Sequence, residues 1–169
     1  MPESKKYEIA VKVHTAYLPE QSDEALDRYV FAYTIILANT GTVAAQLISR
    51  HWIIADGGGG VQEVRGLGVV GEQPLLKPGD SFEYTSGTAI STPVGSMKGS
   101  YQMVAEDGLR FDAPIPEFIL SVPRILHGGI PEQVLLSSKI PHGAQGALIR
   151  IFYRTGYQPY VFRPYRRRR

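Results

Sequence analysis

The sequence predicts an all-β protein that folds as an antiparallel β-sandwich of about seven or eight strands, with a basic C-terminal extension. Several segments alternate apolar and polar side chains with a period of two, as strands with one solvated face do. Turn-forming residues separate these segments at short intervals. No window of the first 123 residues repeats its apolar positions at the helical period of about 3.6. This combination is typical of immunoglobulin-like or fibronectin III-like sandwiches.

The first two predicted strands differ in how many of their faces are apolar. Residues 7–17 carry mostly apolar side chains on one face and Glu8, Lys12 and His14 on the other, which predicts one solvated face. Residues 18–27 are interpreted as an exposed loop with room for one helical turn. The string RYVFAYTIILAN, residues 28–39, is apolar on both faces, so it predicts a central strand.

The middle of the chain predicts a pair of strands joined by a glycine-rich tip. Residues 39–41 form a turn signal, and a strand from Val43 to about Ile54 is expected to follow. Residues 56–60, DGGGG, predict a hairpin tip, and residues 61–70 are expected to return as a strand.

Three further strands are predicted before the composition changes. They cover residues 81–87, residues 95–104 with a break at Gly99, and residues 109–122. In the last of these the alternation of apolar side chains changes phase around Pro116. A proline at a phase change predicts a bulge or kink there.

The chain divides into an acidic part and a basic part. Residues 1–123 hold 9 lysines and arginines against 15 acids, and residues 124–169 hold 9 against a single acid, Glu132. We therefore expect a sandwich domain over residues 1–127 and a largely disordered basic extension over residues 128–169. The sequence leaves open whether this extension is native.

The basic extension interleaves aromatic residues with arginine, as segments that bind phosphate backbones and stack on bases do. The same composition suits an anionic membrane surface. If the chain contacts nucleic acid, we expect it to do so only through the arginines of this tail. They are Arg163, Arg166, Arg167, Arg168 and Arg169.

Other compositional features narrow the range of functions. The chain has no cysteine, which removes disulfides, thiol catalysis and thiolate metal sites. Its four histidines show no paired metal-ligand spacing, and no acid, base and nucleophile stand out together. We therefore predict no catalytic residues, no metal site, no cofactor and no enzymatic activity. The lack of a signal sequence or long apolar segment predicts a cytoplasmic location.

The segment RGLGVVGEQP, residues 65–74, matches the G-x-G-x-x-G spacing of a dinucleotide-binding loop. Such a loop requires a following helix whose N-terminal amides hold the pyrophosphate. Pro74 and Pro78 exclude a helix of useful length. The glycines are therefore interpreted as shaping a strand and its bend, through a bulge, a positive φ or a close contact.

Two binding surfaces are nevertheless hypothesised on this segment. Backbone amides and one arginine can form a small anion-binding nest. The residues of that candidate contact are Arg65, Gly66, Gly68 and Gly71. Apolar residues that are not fully buried can instead offer a partner surface or an edge for strand addition. The residues of that candidate surface are Val69, Val70, Pro74 and Leu75.

Trp52 is the only tryptophan, and we expect it to fill the sandwich core or lie across its rim. Strand alternation sends His51 and Ile53 to the opposite face and keeps Arg50 on the same side as the indole. Arg50 can therefore stack on or bracket Trp52. A structural role for His51 is favoured, because no partner for catalysis is apparent.

Four strings carry a resemblance to the ApaG family, also called CorD. They are FAYTIILANTG (31–41), QLISRHWIIAD (46–56), a long match over 63–103 and FDAPIPEFILSVP (111–123). Within the long match, GVVGEQP and the spacing G-x-M-x-G-x-Y are specific. The chain resembles the family over roughly residues 5–127, and the family pattern ends near residue 127.

The resemblance implies an immunoglobulin-like or fibronectin III-like sandwich with no established enzymatic activity. It also implies a genetic link to cobalt tolerance and magnesium efflux, and related domains look like interaction modules. The favoured hypothesis is therefore a non-enzymatic module for protein interaction or regulation, with a protein partner. The alternative is a binder of a nucleotide, pyrophosphate or divalent cation that uses the region from Gly66 to Gly71.

Overall fold

The computed structural model describes residues 5–124, which form two antiparallel β-sheets packed face to face. The predicted antiparallel β-sandwich is confirmed, whereas the predicted extension, residues 128–169, lies outside the described residues. The strands, in chain order, are β1 Ile9–Tyr17, β2 Tyr29–Asn39, β3 Ala45–Asp56, β4 Val61–Leu67, β5 Leu75–Leu76, β6 Ser81–Ile90, β7 Val94–Ala105 and β8 Arg110–Ser121.

The smaller sheet has the strand order β1-β2-β6, so β2 is the central strand, as predicted. Alternate residues of β2 from Phe31 to Leu37 are buried between the two sheets. The other face of β2 is buried at its start, where Val30 packs with Leu18 in a second, smaller cluster. Burial on both faces explains why this strand is apolar throughout.

The larger sheet has the strand order β4-β3-β7-β8, and β5 pairs with the beginning of β3. Since β7 pairs along nearly the whole of β3, β4 and β5 share its other side. Together they form one edge of this sheet. The chain segment that joins them, residues 68–74, contains Gly68 and Gly71, and Gly66, the first glycine of the motif, lies within β4.

A bulge in β3 decides which of its side chains reach the core. Ile48 is an extra residue opposite the step from Met103 to Gln102 in β7. Without it, strict alternation would place residues 47 and 50 on opposite faces. Because of it, Leu47 and Arg50 both face the inside of the sandwich.

A second bulge lies where the sequence predicted one. Pro116 and Glu117 of β8 together oppose the single residue Lys98 of β7. Next to Lys98, a Cβ atom at Gly99 would lie 2.0 Å from the carbonyl oxygen of His51, so the backbone of β7 can approach β3 here only without a side chain. Strand β7 runs unbroken through Gly99, so the predicted break is wrong, whereas the phase change predicted at Pro116 lies at this irregularity in the pairing of β7 with β8.

Trp52 occupies the centre of the core, as expected, and is 2% exposed. Its ring meets three aromatic rings edge-on, with centroid distances of 5.4 Å to Tyr33, 6.3 Å to Tyr101 and 5.9 Å to Phe118. Edge-to-face contacts of this kind are favourable beyond the area they bury. Because Tyr33 belongs to the opposite sheet, Trp52 joins the two sheets.

The two sides of the sandwich differ. On one side β1 and β8 contact each other, and the ring of Tyr7 packs against that of Phe111 with centroids 5.7 Å apart. On the other side, where β4 and β5 form the edge of the larger sheet, a small cleft opens between β6 and β4. This cleft and this edge are the parts of the fold that bear on function.

Four details differ from the sequence prediction. Strand β4 ends at Leu67 instead of residue 70, because Gly68 has a φ of 59°, which extended strands do not adopt. Strand β6 continues to Ile90, beyond the predicted end at residue 87, and the two-residue strand β5 was not predicted. The loop at residues 18–27 forms two short 3₁₀ turns.

Within residues 5–124, none of the helical segments has the length and apolar character needed to cross a membrane.

Candidate functional site

The segment RGLGVVGEQP forms the end of β4 and a tight hairpin turn. The amide of Val69 donates to the carbonyl oxygen of Glu72 at 2.8 Å, and the amide of Glu72 donates to the carbonyl oxygen of Val69 at 2.8 Å. Between them, Val70 and Gly71 have φ values of 52° and 72°. Positive φ at both central positions is the mark of a type I′ turn. The short strand β5 follows, so the helix of a dinucleotide loop is absent from this segment, as the prolines predicted.

Gly66 makes room for the side chain of Arg50, its partner in the pairing of β3 with β4. A Cβ atom at Gly66 would lie 2.9 to 3.0 Å from three guanidinium atoms. Arg50 therefore lies across the inner face of β4, where its Nη1 donates to the carbonyl oxygens of Leu67 at 3.1 Å and Gly68 at 2.8 Å. The first glycine of the motif makes room for an arginine that lies sixteen residues earlier in the chain.

The other two glycines meet different requirements of the turn. Gly68 has a positive φ, and a Cβ atom there would lie 2.3 Å from the carbonyl oxygen of Glu72. Gly71 also has a positive φ, but the space around its missing side chain is open. Close contact and positive φ, two of the three interpretations from the sequence, are thus both found in this segment.

The candidate anion contact is not assembled as hypothesised. Arg65 is exposed on the outer face of β4, opposite in orientation to Gly66, and its Nη2 lies 3.8 Å from Glu63 Oε2. The amide of Gly68 donates to the carbonyl oxygen of Ile48 at 2.8 Å, and that of Val69 is used within the turn. The cation beside the glycines is Arg50, which the hypothesis did not include.

The candidate partner surface also needs correction. Val69 is 1% exposed and Val70 8% exposed, so both belong to the core and cannot contact a partner. The type I′ turn folds them back under the hairpin, because its tight geometry turns the chain within two residues. Pro74 is half-buried, and Leu75 alone of the four is exposed.

Sequence reasoning missed two exposed apolar residues on the same edge. Val61 and Leu67, at the two ends of β4, are 63% and 77% exposed. Strand alternation could have found them, because the half-buried Val64 and Gly66 fix the inward parity and leave odd-numbered residues of β4 outside. Leu67 and Leu75 pair with Ser49 and Gln46 of β3, so they follow one another along this edge.

His51 lies on the outer face, as strand alternation predicted. Its Nε2 is 3.1 Å from Glu63 Oε2, and Glu63 is shared with the exposed Arg65. These three side chains form a partly solvated polar cluster without a nucleophile. Across residues 5–124 no three histidine, aspartate or glutamate side chains come together as a metal site would require.

Comparison with known proteins places this arrangement in a family. The family model of the ApaG domain, also designated DUF525, matches residues 19–105. The chain belongs to the ApaG family. It is 92% identical over 127 residues to Protein ApaG of Nitrosospira multiformis, a match that covers 75% of this chain and all of that relative. Protein ApaG of Thiobacillus denitrificans is 69% identical over the same coverage.

A similar solved structure supports the fold as well. The crystal structure of the Bordetella pertussis protein called ApaA is 58% identical and superposes with a TM-score of 0.70. The match covers 72% of this chain and 98% of that one. The predicted resemblance to the ApaG family is therefore confirmed, and the names of these relatives state no activity.

Proposed function

We propose that this ApaG-family chain is a non-enzymatic module that binds an extended segment of a protein partner along the edge formed by β4 and β5. The observation that carries the proposal is the exposure of Leu67 and Leu75 on an edge whose strands pair, within residues 5–124, only with β3. An extended segment can add to such an edge through main-chain hydrogen bonds while apolar side chains select it.

The geometry of the edge supports this mode of binding. Leu67 and Leu75 lie opposite positions 49 and 46 of β3. Because Ile48 is an extra residue between those positions, the separation corresponds to two regular residues, roughly 7 Å at about 3.4 Å per residue. Alternate side chains of one added strand would be about 7 Å apart, so one segment can reach both leucines. Glu63 and Arg65 lie farther along β4 and would discriminate between segments by charge.

The experiment uses photo-crosslinking, with a benzophenone amino acid introduced in the full chain at position 67 or position 119. Ile119 of β8 is a matched control, because it is 58% exposed and lies at the opposite edge of the same sheet. We expect one reproducible crosslinked protein from position 67 and none of it from position 119.

Binding of the identified partner is then measured directly. Leu67→Asp is expected to weaken it by at least about tenfold, since an edge contact of this size contributes on the order of 1–2 kcal/mol. Ile119→Asp should leave it unchanged. Equal crosslinking at both positions, or equal weakening by both substitutions, contradicts the proposed edge.

The family's genetic link to cobalt tolerance and magnesium efflux, implied by the resemblance, indicates where to look for the partner. We propose that the module acts in the cytoplasm on a protein that maintains divalent cations. Cells that carry Leu67→Asp should then grow differently from wild type at raised cobalt concentration. Cells that carry Ile119→Asp, the control, should grow as the wild type does.

The alternative function, binding of a nucleotide, pyrophosphate or divalent cation at Gly66–Gly71, has less support. The amides of Gly68 and Val69 are already used, and carbonyl oxygens instead of amides face Arg50. It stays a prediction, to be tested by titrating ATP, pyrophosphate, Mg²⁺ and Co²⁺ while the amide resonances of residues 65–74 are recorded.

A further inference from the structure

A small cleft between the two sheets is lined almost entirely by groups that donate hydrogen bonds or are apolar. The smaller sheet contributes Tyr33, Tyr84 and Ser86, and the larger sheet contributes Arg50 and Trp52. None of the ten residues that line it is acidic. The space in which the centre of a water molecule can lie is about 20 Å³, so the cleft admits one small group and not a nucleotide.

The indole of Trp52 presents an unsatisfied donor to its surroundings. Its Nε1–H is fully buried and has no hydrogen-bond partner among residues 5–124. A buried donor without an acceptor is destabilising by about 1–3 kcal/mol, and native structures rarely leave one. Trp52 is among the residues that line the cleft, so a small shift of the indole would bring this donor to an acceptor bound there.

Arg50 adds a positive charge that no acid among residues 5–124 pairs with. None of the ion pairs formed within residues 5–124 includes Arg50, and Glu63, on the neighbouring strand, is on the outer face with His51. Within the described part of the chain, the Nη1 of Arg50 is its only nitrogen that donates to carbonyl oxygens. A half-buried guanidinium attracts an anion more strongly than an exposed one does, because less water screens it.

The tyrosines of the cleft remain neutral donors. Burial raises the pKa of Tyr33, and burial together with the neighbouring tyrosines raises that of Tyr84 well above its ordinary value. Tyr84 and Tyr101 share a hydrogen bond between their hydroxyls, which leaves one hydroxyl proton of the pair able to turn toward another acceptor. The cleft thus combines one fixed charge with several neutral donors, which is the composition of an anion site.

We infer that this cleft binds a single carboxylate group, held by the guanidinium of Arg50 and the indole N–H of Trp52. A carboxylate matches the planar donors of arginine, and its two oxygens can serve both residues. The carboxylate belongs either to a free small acid or to an acidic side chain of a protein, and the chemistry recognised is the same. This inference does not depend on the proposed edge interaction.

The test uses the indole N–H resonance of Trp52, which is the only indole resonance of the full chain. The ¹⁵N-labelled protein is titrated with sodium formate and, separately, with a capped Gly-Asp-Gly peptide, each against sodium chloride at equal ionic strength. We expect a saturable shift with a dissociation constant in the millimolar range, since so few atoms make contact. A shift with formate identifies a free acid as sufficient, and a shift with the peptide alone identifies an acidic side chain.

Two variants assign the shift to the cleft. Arg50→Gln should weaken the binding by at least about tenfold through loss of the charge. The matched control is Arg65→Gln, which removes an exposed arginine from the outer face of the adjacent strand and should change nothing. Ser86→Ala is a milder change in the cleft should Arg50→Gln fail to fold, and it is expected to weaken binding without abolishing it.

The inference is overturned if neither formate nor the peptide moves the indole resonance of the wild-type chain, because the acceptor beside Trp52 is then water. It is equally overturned if Arg65→Gln weakens the binding as much as Arg50→Gln does. Neither result bears on the crosslinking at position 67.

Discussion

Gly68 and Gly71 belong to one turn, yet the absence of a side chain matters differently at each. Both have positive φ, which costs other residues about 1–2 kcal/mol. Only Gly68 also faces a backbone atom, the carbonyl oxygen of Glu72, at a distance too short for a Cβ atom. The same residue type is thus required for two distinguishable physical reasons.

This difference predicts unequal effects of alanine on stability. Gly71→Ala should lower the free energy of unfolding by about 1 kcal/mol through backbone strain alone. Gly68→Ala should lower it by more than about 2 kcal/mol, because the turn must also move away from the new methyl group. Urea unfolding followed by Trp52 fluorescence measures both values. If both substitutions lower the free energy of unfolding equally, the close contact with the Glu72 carbonyl oxygen adds nothing to the cost of alanine at position 68.

Asn39 is required at its position because its buried side chain is hydrogen-bonded to three backbone groups. It is 3% exposed, and its Nδ2 donates to the carbonyl oxygens of Val43 at 2.8 Å and Leu76 at 2.9 Å, while its Oδ1 accepts from the amide of Gly41 at 2.9 Å. Both N–H groups and the oxygen of the side-chain amide are therefore hydrogen-bonded, and no other side chain of this size carries two N–H donors and an acceptor oxygen.

Asn39→Asp should therefore make stability depend on pH. The carboxylate would face two carbonyl oxygens, which raises the pKa of the acid in the folded state. A raised folded pKa means that stability is greatest below the unfolded value of about 4 and falls as the pH rises through the folded value. Urea unfolding at pH 7 should show a loss of about 3 kcal/mol or more that shrinks toward pH 4. Asn39→Ala, the control, should show a loss that does not change with pH.

At the scale of elements, the hairpin of β3 and β4 is organised by one carboxylate. Asp56 Oδ1 accepts from the amides of Gly58 and Gly60, each at 2.8 Å, and Oδ2 accepts from the hydroxyl of Ser91 at 3.0 Å. Of these donors, the amide of Gly60 contributes most to lowering the pKa of Asp56, followed by Ser91. The carboxylate ties the glycine-rich tip to the start of the loop between β6 and β7.

The lowered pKa of Asp56 has a defined consequence for the hairpin. A lowered folded pKa contributes stability that is complete above the ordinary aspartate value of 3.8 and is lost as the pH falls through the folded value. Asp56→Asn should therefore be less stable than the wild type at pH 7, with the difference closing below pH 4. Chemical unfolding of both proteins from pH 7 to pH 3 measures this. A difference that stays constant over that range would contradict the role of the charged form.

At the scale of the whole molecule, Trp52 connects the two sheets through Tyr33 on one side and Tyr101 and Phe118 on the other. Loss of either sheet would change the surroundings of the indole. We therefore expect one cooperative transition, in which fluorescence of the only tryptophan and circular dichroism of the strands have the same midpoint in urea. Transitions that separate by probe would show that the sheets unfold independently.

The basic extension makes a second prediction for the whole molecule. Residues 124–169 carry nearly all of their charge as lysine or arginine, so nucleic acid should be retained in a salt-sensitive manner. Deleting residues 128–169 is expected to abolish retention on a DNA column at low salt. Retention by the shortened chain at the same salt concentration would assign the binding elsewhere.

Periodicity predicted the strands well because burial alternates along them, as it does in β7, and the change of phase in β8 located the bulge at Pro116. It predicted the ends of strands poorly. Strand β4 ends because Gly68 has a positive φ, and the pattern of apolar residues does not reveal a backbone angle. The site was harder still. That Arg50 faces the glycines depends on an extra residue at Ile48 and on the register of β3 with β4, which are tertiary facts. The burial of Val69 and Val70 depends likewise on a turn that places valine at a positive φ, against its ordinary preference.

The guanidinium of Arg50 occupies the volume that a side chain at position 66 would need. The two positions therefore cannot diverge independently during evolution. If position 66 gains a side chain first, Arg50 is displaced and its two hydrogen bonds are lost. If Arg50 is first replaced by a residue with a shorter side chain, the same change at position 66 displaces nothing. The order in which substitutions arise thus decides whether each step is acceptable. A library that varies both positions at once should recover pairs that no sequence of single acceptable steps can reach.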